Sequence, residues 1–198
     1  IKLSKESNQD TTLFLDIGTG SGAIAITLAA ETYIPIIATD VSQDALTVAK
    51  TNAEKLASTK QIDFRQGDLL DPIFPILKKL KEHKQERPEA SLIDHIILCA
   101  NLPYLSEDQW EETQPNVRDH EPRLALEAGR DGLDLYRNLF DQIKQHRSLF
   151  PNHLTTLIEI DPSQTESTVH LIHQQFPSSY PEVHKDLEGH DRLVVTHL

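Results

Sequence analysis

Short apolar runs alternate with longer helix-patterned stretches from residue 12 almost to the end of the chain, and this alternation narrows the possible folds more than any other feature. Thr12 to Ile17 is an apolar run ending in Asp16-Ile17-Gly18, and Gly22 to Glu31 reads as an alanine-rich helix. Ile34 to Thr39 is a second run closed by Asp40, followed by a helix from Ser42 to Ala57 with Ser42 as its N-cap. Gln61 to Arg65 alternates as a third strand, Pro72 to Pro88 is a basic helix, and Leu92 to Cys99 is a fourth strand. Leu133 to Phe150, Leu154 to Ile160 and Ser163 to Phe176 continue as helix, strand and helix. Parallel strands need a long crossover, usually a helix, so the pattern predicts a doubly wound, mostly parallel α/β sheet. The tail departs from it. Tyr180 to Lys185 and Arg192 to His197 are joined through Gly189 with no helix between, which predicts an antiparallel hairpin at one sheet edge. Leu105 to Gly132 lacks a steady period, contains Pro115 and Pro122, and reads as a functional loop.

At 198 residues, 38% hydrophobic and 25% charged, the chain has the composition of one globular domain spanning 1–198. No apolar run approaches the roughly 20 residues of a membrane span. A net charge of -12, from 31 acidic against 19 basic residues, opposes direct nucleic-acid binding and favours a protein or small-molecule partner. The single cysteine, Cys99, lies inside an apolar strand; it reads as core filler, and a reducing, cytoplasmic setting follows. The lysines around Lys78, Lys79, Lys81 and Lys84 read as a solvated face. His170 and His173 share a helix face without a third ligand, so no metal site is expected. Ser21 has no triad partner at a recognisable spacing, which argues against a hydrolase.

Two stretches carry candidate chemistry. Between the first strand and its helix, Asp16-Ile17-Gly18-Thr19-Gly20-Ser21-Gly22 lets backbone N–H groups approach a ligand at a helix N-terminus. Asp40 follows roughly 20 residues later at the end of the second strand, where an acidic residue can accept the hydroxyls of a ribose. Asp68 could accept a bond from an exocyclic adenine amine, and Leu69 could cover the ring. Asp16 and Asp68 read equally as helix-capping or turn residues. The second stretch, Asn101-Leu102-Pro103-Tyr104, ends the fourth strand with an amide, a backbone carbonyl, a turn-fixing proline and an aromatic face. Those groups suit a planar NH₂-bearing ligand, although a strand-ending turn would use the same residues.

With these residues in place the chain resembles the HemK/PrmC family of protein-glutamine N5-methyltransferases. The resemblance rests on Asp16 to Ala25, Asp40 with Ala45-Leu46, Asn52, and Asn101 to Tyr104. It extends through Glu121-Pro122-Arg123-Leu124-Ala125-Leu126, Gly129, and Asp131-Gly132-Leu133-Asp134-Leu135-Tyr136-Arg137. Glu159-Ile160, Gly189 and Asp191-Arg192 complete it. It implies a Rossmann-like class I S-adenosylmethionine-dependent methyltransferase fold with a seven-stranded sheet. It also implies methyl transfer to the glutamine of a Gly-Gly-Gln motif in peptide chain release factors, or to a ribosomal protein as in a sister group. By the same resemblance Asp16, Gly18, Thr19, Gly20, Ser21, Gly22, Asp40, Asp68, Leu69 and Asn101 hold S-adenosylmethionine, and Asn101, Leu102, Pro103 and Tyr104 hold the glutamine. Glu121 and Arg123 either shape the substrate cleft or form a surface ion pair.

Two departures stand out. Leu102 occupies the position of the first of the two prolines usual in the tetrapeptide; it keeps the carbonyl acceptor but loosens the turn. Bacterial members also carry an N-terminal helical domain and an Arg-Pro-Glu-Thr-Glu segment, which these 198 residues do not contain. Adenine-N6 methylation of nucleic acid, or cofactor binding without catalysis, are the alternative functions.

Overall fold

The computed structural model describes residues 11–56, 61–86, 93–114, 116 and 122–198. Seven strands form one sheet: β1 (Thr12–Ile17), β2 (Ile36–Asp40), β3 (Ile62–Gln66), β4 (His95–Ala100), β5 (His153–Glu159), β6 (Glu182–Lys185) and β7 (Asp191–His197). Their order is β3-β2-β1-β4-β5-β7-β6. β1 pairs in parallel with β2 and β4, β2 pairs in parallel with β3, and β6 with β7 is the expected antiparallel hairpin. The helices are α1 (Ala23–Glu31), α2 (Gln43–Lys55), α3 (Phe74–Glu86), α4 (Glu107–Glu112), α5 (Asp134–Gln145) and α6 (Thr165–Gln175).

Every residue of β1 is buried, as a central parallel strand covered on both faces requires, and this explains a continuous apolar run rather than alternation. All four residues of β6, by contrast, are exposed at the sheet edge. The strand order reverses between β1 and β4, where Ile17 stands opposite Ala100. In open α/β sheets the crevice outside the carboxyl ends of the strands at such a reversal is the usual ligand site.

The chain divides into two compact units, one of residues 1–100, 146–157 and 197–198, the other of 101–145 and 158–196. In the first, Phe14, Ala25, Ile36, Ala38, Ile97 and Cys99 belong to one buried cluster. The second has its own core on α5, where Tyr136, Leu139, Phe140 and Ile143 recur at helical spacing on the buried face. There the Phe140 and Phe176 rings meet edge to face, with centroids 5.8 Å apart.

Several boundaries differ from expectation. Gly22 caps α1 in a left-handed conformation instead of opening it. The fourth strand begins at His95 rather than Leu92, which lies outside the described residues. The helix expected to reach Phe150 ends at Gln145, and Arg147–Leu149 is a separate 3-10 turn. The Leu105 to Gly132 stretch contains α4, opened by a capping box in which Ser106 and Gln109 satisfy each other's backbone N–H groups. No residue of α4 is buried, so it had no apolar period to reveal it.

Candidate functional site

In the first unit the glycine turn is organised around two carboxylates. Asp16, at the end of β1, is 1% exposed, and its Oδ2 accepts the Thr19 hydroxyl at 2.6 Å and the Ala25 N–H at 3.1 Å. It therefore caps an orphan donor in the first turn of α1. Burial pushes its pKa up to about 6, with Asp40 adding in the same direction and the two hydrogen bonds opposing. Its second oxygen, Oδ1, is buried without a hydrogen-bond partner among the described residues.

Asp40, at the end of β2, accepts the Gly20 N–H on Oδ2 and the Ser42 N–H on Oδ1, each at 2.8 Å. The carboxylate is thus pre-oriented by two amides. The Asn52 amide donates to the Ser21 carbonyl at 3.0 Å and pins the turn from α2. Gly22 has φ +83, and a Cβ there would lie 3.0 Å from Ile26 and 3.1 Å from Ala49, so glycine permits the close approach of α1 to α2. A Cβ on Gly20 would meet nothing within 4 Å, which leaves open space at the tip of the turn.

Past β3, Asp68 is exposed and Leu69 is buried. Leu69 is the one non-glycine with positive φ, +47, among the described residues, and its carbonyl accepts the Thr39 hydroxyl at 2.9 Å. A bulky residue in that conformation costs about 1–3 kcal/mol, and such strain concentrates at ligand sites.

In the second unit, the tetrapeptide is held by three groups distant in sequence. Asn101 is exposed, and Leu102 is 3% exposed with its N–H donating to the Tyr136 hydroxyl at 3.4 Å. That hydroxyl donates in turn to the Glu159 carbonyl at 2.5 Å. The Tyr104 carbonyl accepts the Gln164 side-chain amide at 2.7 Å, and the same amide group donates to the Asp131 carbonyl at 3.0 Å. Gly132 has φ +72, and any Cβ there would collide with the Tyr104 carbonyl and the Gln164 amide. Among the described residues no hydrogen bond engages the Asn101 side chain or the Leu102 carbonyl.

The Tyr104 ring is half-buried. Burial chiefly, then the Glu159 charge, raises its phenol pKa against the opposing Arg192 charge. Burial likewise raises Glu159, with Arg192 opposing, and raises the fully buried Tyr136. Both phenols therefore keep their protons at neutral pH.

The tetrapeptide and the glycine turn lie at strand ends as expected, whereas Gly132 and Tyr136 entered only through the family resemblance, without a role, and Gln164 not at all. The available signal was a tyrosine on an otherwise apolar helix face, whose hydroxyl must find a partner when buried. Of the two loop residues proposed to shape a cleft, Arg123 pairs with Glu127 at 3.2 Å and lies 6.0 Å from the Trp110 ring, whereas Glu121 falls outside the described residues. His170 and His173 are exposed, and no group of three metal-ligating side chains occurs among the described residues. A cavity of about 410 Å³ near the start of β4, lined by Leu77, Ile96 and Phe150 among others, shares no residue with the candidate site.

Comparison with known proteins narrows the chemistry. A family described as "Methyltransferase domain" matches residues 8–86. The release factor glutamine methyltransferase of Bacillus anthracis is 36% identical over 180 residues, covering 90% of this chain and 56% of that protein. The enzyme of the same name from Enterococcus faecalis is 34% identical over 192 residues, covering 96% and 61%. Over nearly its whole length the chain is thus similar to part of the release factor glutamine methyltransferases. It spans about 56% of the length of the first curated relatives it matches. Among solved structures, ribosomal protein L11 methylase from Lactobacillus delbrueckii subsp. bulgaricus superposes with a TM-score of 0.55 at 16% identity, covering 94% of this chain and 69% of that one. The hMettl16 catalytic domain in complex with MAT2A 3'UTR hairpin 1 gives 0.62 at 15% identity, covering 94% and 63%. These likenesses establish the class I methyltransferase fold.

Proposed function

We propose that this chain methylates the side-chain amide nitrogen of a glutamine in a peptide chain release factor, with S-adenosylmethionine as methyl donor. The observation that carries the reading is the pair of oxygen acceptors, Asn101 Oδ1 and the Leu102 carbonyl, which no described residue engages at the end of β4. A primary carboxamide offers two N–H donors to match.

The residues present suit S-adenosylmethionine. Asp40, held by two amides, offers its remaining lone pairs to a ribose diol, and Asp16 Oδ1 is a buried acceptor in need of a donor. The turn from Gly18 to Gly22 would let the cofactor approach the backbone closely, with the N–H groups of Thr19, Gly20 and Gly22 spent on holding the turn itself, and Asp68 and Leu69 would meet the adenine. When bound, S-adenosylmethionine supplies a methyl carbon activated by a sulfonium.

A carboxamide nitrogen is a poor nucleophile because its lone pair is delocalised into the carbonyl. Asn101 Oδ1 and the Leu102 carbonyl accept its two N–H bonds and hold the nitrogen in one orientation. Such positioning can be worth roughly 7–11 kcal/mol. The same two oxygens face the positive charge that grows on nitrogen, and preorganised acceptors stabilise it without reorganising. Pro103 restricts Leu102 to extended conformations, and Tyr104 offers its ring face to the amide plane. No side chain with a pKa tuned for general-base work is needed.

Incubation of the chain with methyl-labelled S-adenosylmethionine and a Gly-Gly-Gln-containing release factor should give one methyl group on the glutamine amide, located by mass spectrometry. Label appearing in an adenine-rich oligonucleotide instead would overturn the reading, as would cofactor binding with no transfer to either substrate.

A further inference from the structure

We infer that Tyr136 is a positioning residue for this transfer, because its hydroxyl accepts the Leu102 N–H and so fixes the Asn101–Leu102 peptide plane from which the chain turns to present the Leu102 carbonyl. The inference rests on the glutamine reading above and goes beyond it, since Tyr136 touches neither the substrate amide nor the cofactor in that scheme.

The Tyr136 hydroxyl carries a single proton. That proton is donated to the Glu159 carbonyl, so the oxygen presents lone pairs to other neighbours. Leu102 N–H can only donate, and it donates to that oxygen. The polarity of the pair is therefore set in one sense, and it stays set because burial holds the phenol protonated. Tyr136 is itself 0% exposed on α5, so its oxygen is anchored by the core rather than by a mobile side chain.

Leucine at position 102 makes this contact decisive. A side chain other than proline leaves φ unconstrained by any ring, and the carbonyl direction depends on both φ and ψ. Pro103 restricts ψ of Leu102 by crowding the preceding residue. The Asn101–Leu102 peptide plane is held by the N–H bond to Tyr136, and the buried leucine side chain holds the rest. On the far side, Gln164 fixes the Tyr104 carbonyl. With the N–H bond gone, the Leu102 carbonyl can swing about φ, and the second acceptor loses its aim while the pocket keeps its shape.

The test is a double-mutant cycle joined to an exchange measurement on the full chain. In Tyr136→Phe the hydrogen exchange of the Leu102 amide should accelerate while that of Leu98 in β4 is unchanged. The same variant should lower kcat for the Gly-Gly-Gln substrate roughly 3- to 10-fold, the range of one net neutral hydrogen bond, with cofactor Kd unaltered. In a Leu102→Pro background there is no N–H to receive, so adding Tyr136→Phe should leave kcat nearly where it was. A general packing role for Tyr136 would instead lower kcat equally in both backgrounds, and that result overturns the inference. Retained Leu102 protection in Tyr136→Phe overturns it too. Should Leu102→Pro not fold, the exchange contrast decides alone. If the unmodified chain transfers no methyl, the glutamine reading falls, and the exchange contrast still decides whether the hydroxyl holds the turn.

Discussion

Asn101 and Asp16 show how differently two polar residues at strand ends can be placed. Asn101 is exposed, so replacing it removes an acceptor without opening the core. Asn101→Ala should lower kcat by about 10²-fold or more, the scale of losing one preorganised partner of a developing charge, while cofactor Kd changes much less. Steady-state methyl transfer beside equilibrium cofactor titration checks both halves. Asp16, by contrast, is buried with its pKa raised from 3.8 to about 6. A carboxyl whose folded pKa lies above its unfolded value favours the folded state most below pH 4, and that advantage is lost as pH rises through 6. A shift of this size corresponds to about 3 kcal/mol. Asp16→Asn keeps an oxygen for Thr19 and Ala25 but cannot ionise. The difference in urea stability between the unmodified chain and Asp16→Asn should therefore grow in favour of the variant from pH 4 to pH 6.5. A flat difference would mean that the carboxyl titrates normally.

At the scale of elements, what the sequence disclosed depended on how local the determining contacts are. β1, β2 and β4 were readable because burial on both faces leaves unbroken apolar runs, and the glycine turn was readable because its glycines lie within a few residues of one another, even though Asp40 and Asn52 hold it across 20 and 31 residues. The supports of the tetrapeptide were not readable, since Leu102 meets Tyr136 across 34 residues and Tyr104 meets Gln164 across 60. α4 escaped for another reason. It is fixed by its capping box and buries nothing, so its Ser-x-x-Gln cap signal had no apolar period behind it. The segment 129–133 illustrates how strictly these supports fit. Gly132→Ala would place a methyl group against the Tyr104 carbonyl while forcing alanine into positive φ. Strain of that backbone kind costs about 1–3 kcal/mol, and the clash adds to it. The variant should unfold at lower urea concentration and, where folded, show reduced kcat. A midpoint equal to that of the unmodified chain would mean that the carbonyl can move aside.

For the whole molecule, ligand linkage provides a test that does not depend on turnover. Anything that binds only the folded chain stabilises it by mass action, about 2.7 kcal/mol at a hundredfold excess over Kd. For a chain of 198 residues each kilocalorie moves the midpoint roughly 2–4 °C, so saturating S-adenosylmethionine should raise Tm by about 5–10 °C. Asp40→Ala removes the acceptor that two backbone amides orient and should abolish most of that rise. Tyr136→Phe and Asn101→Ala should keep it, because they act on the tetrapeptide. The acidic balance of the chain supplies the matching control. At a net charge of -12, a phosphate-rich ligand gains little from counterion release, so an oligonucleotide at 150 mM salt should leave Tm unchanged. A rise with oligonucleotide but none with S-adenosylmethionine would mean that the glycine turn and Asp40 serve a different ligand, and the acceptor pair at the end of β4 would then have no methyl donor to work with.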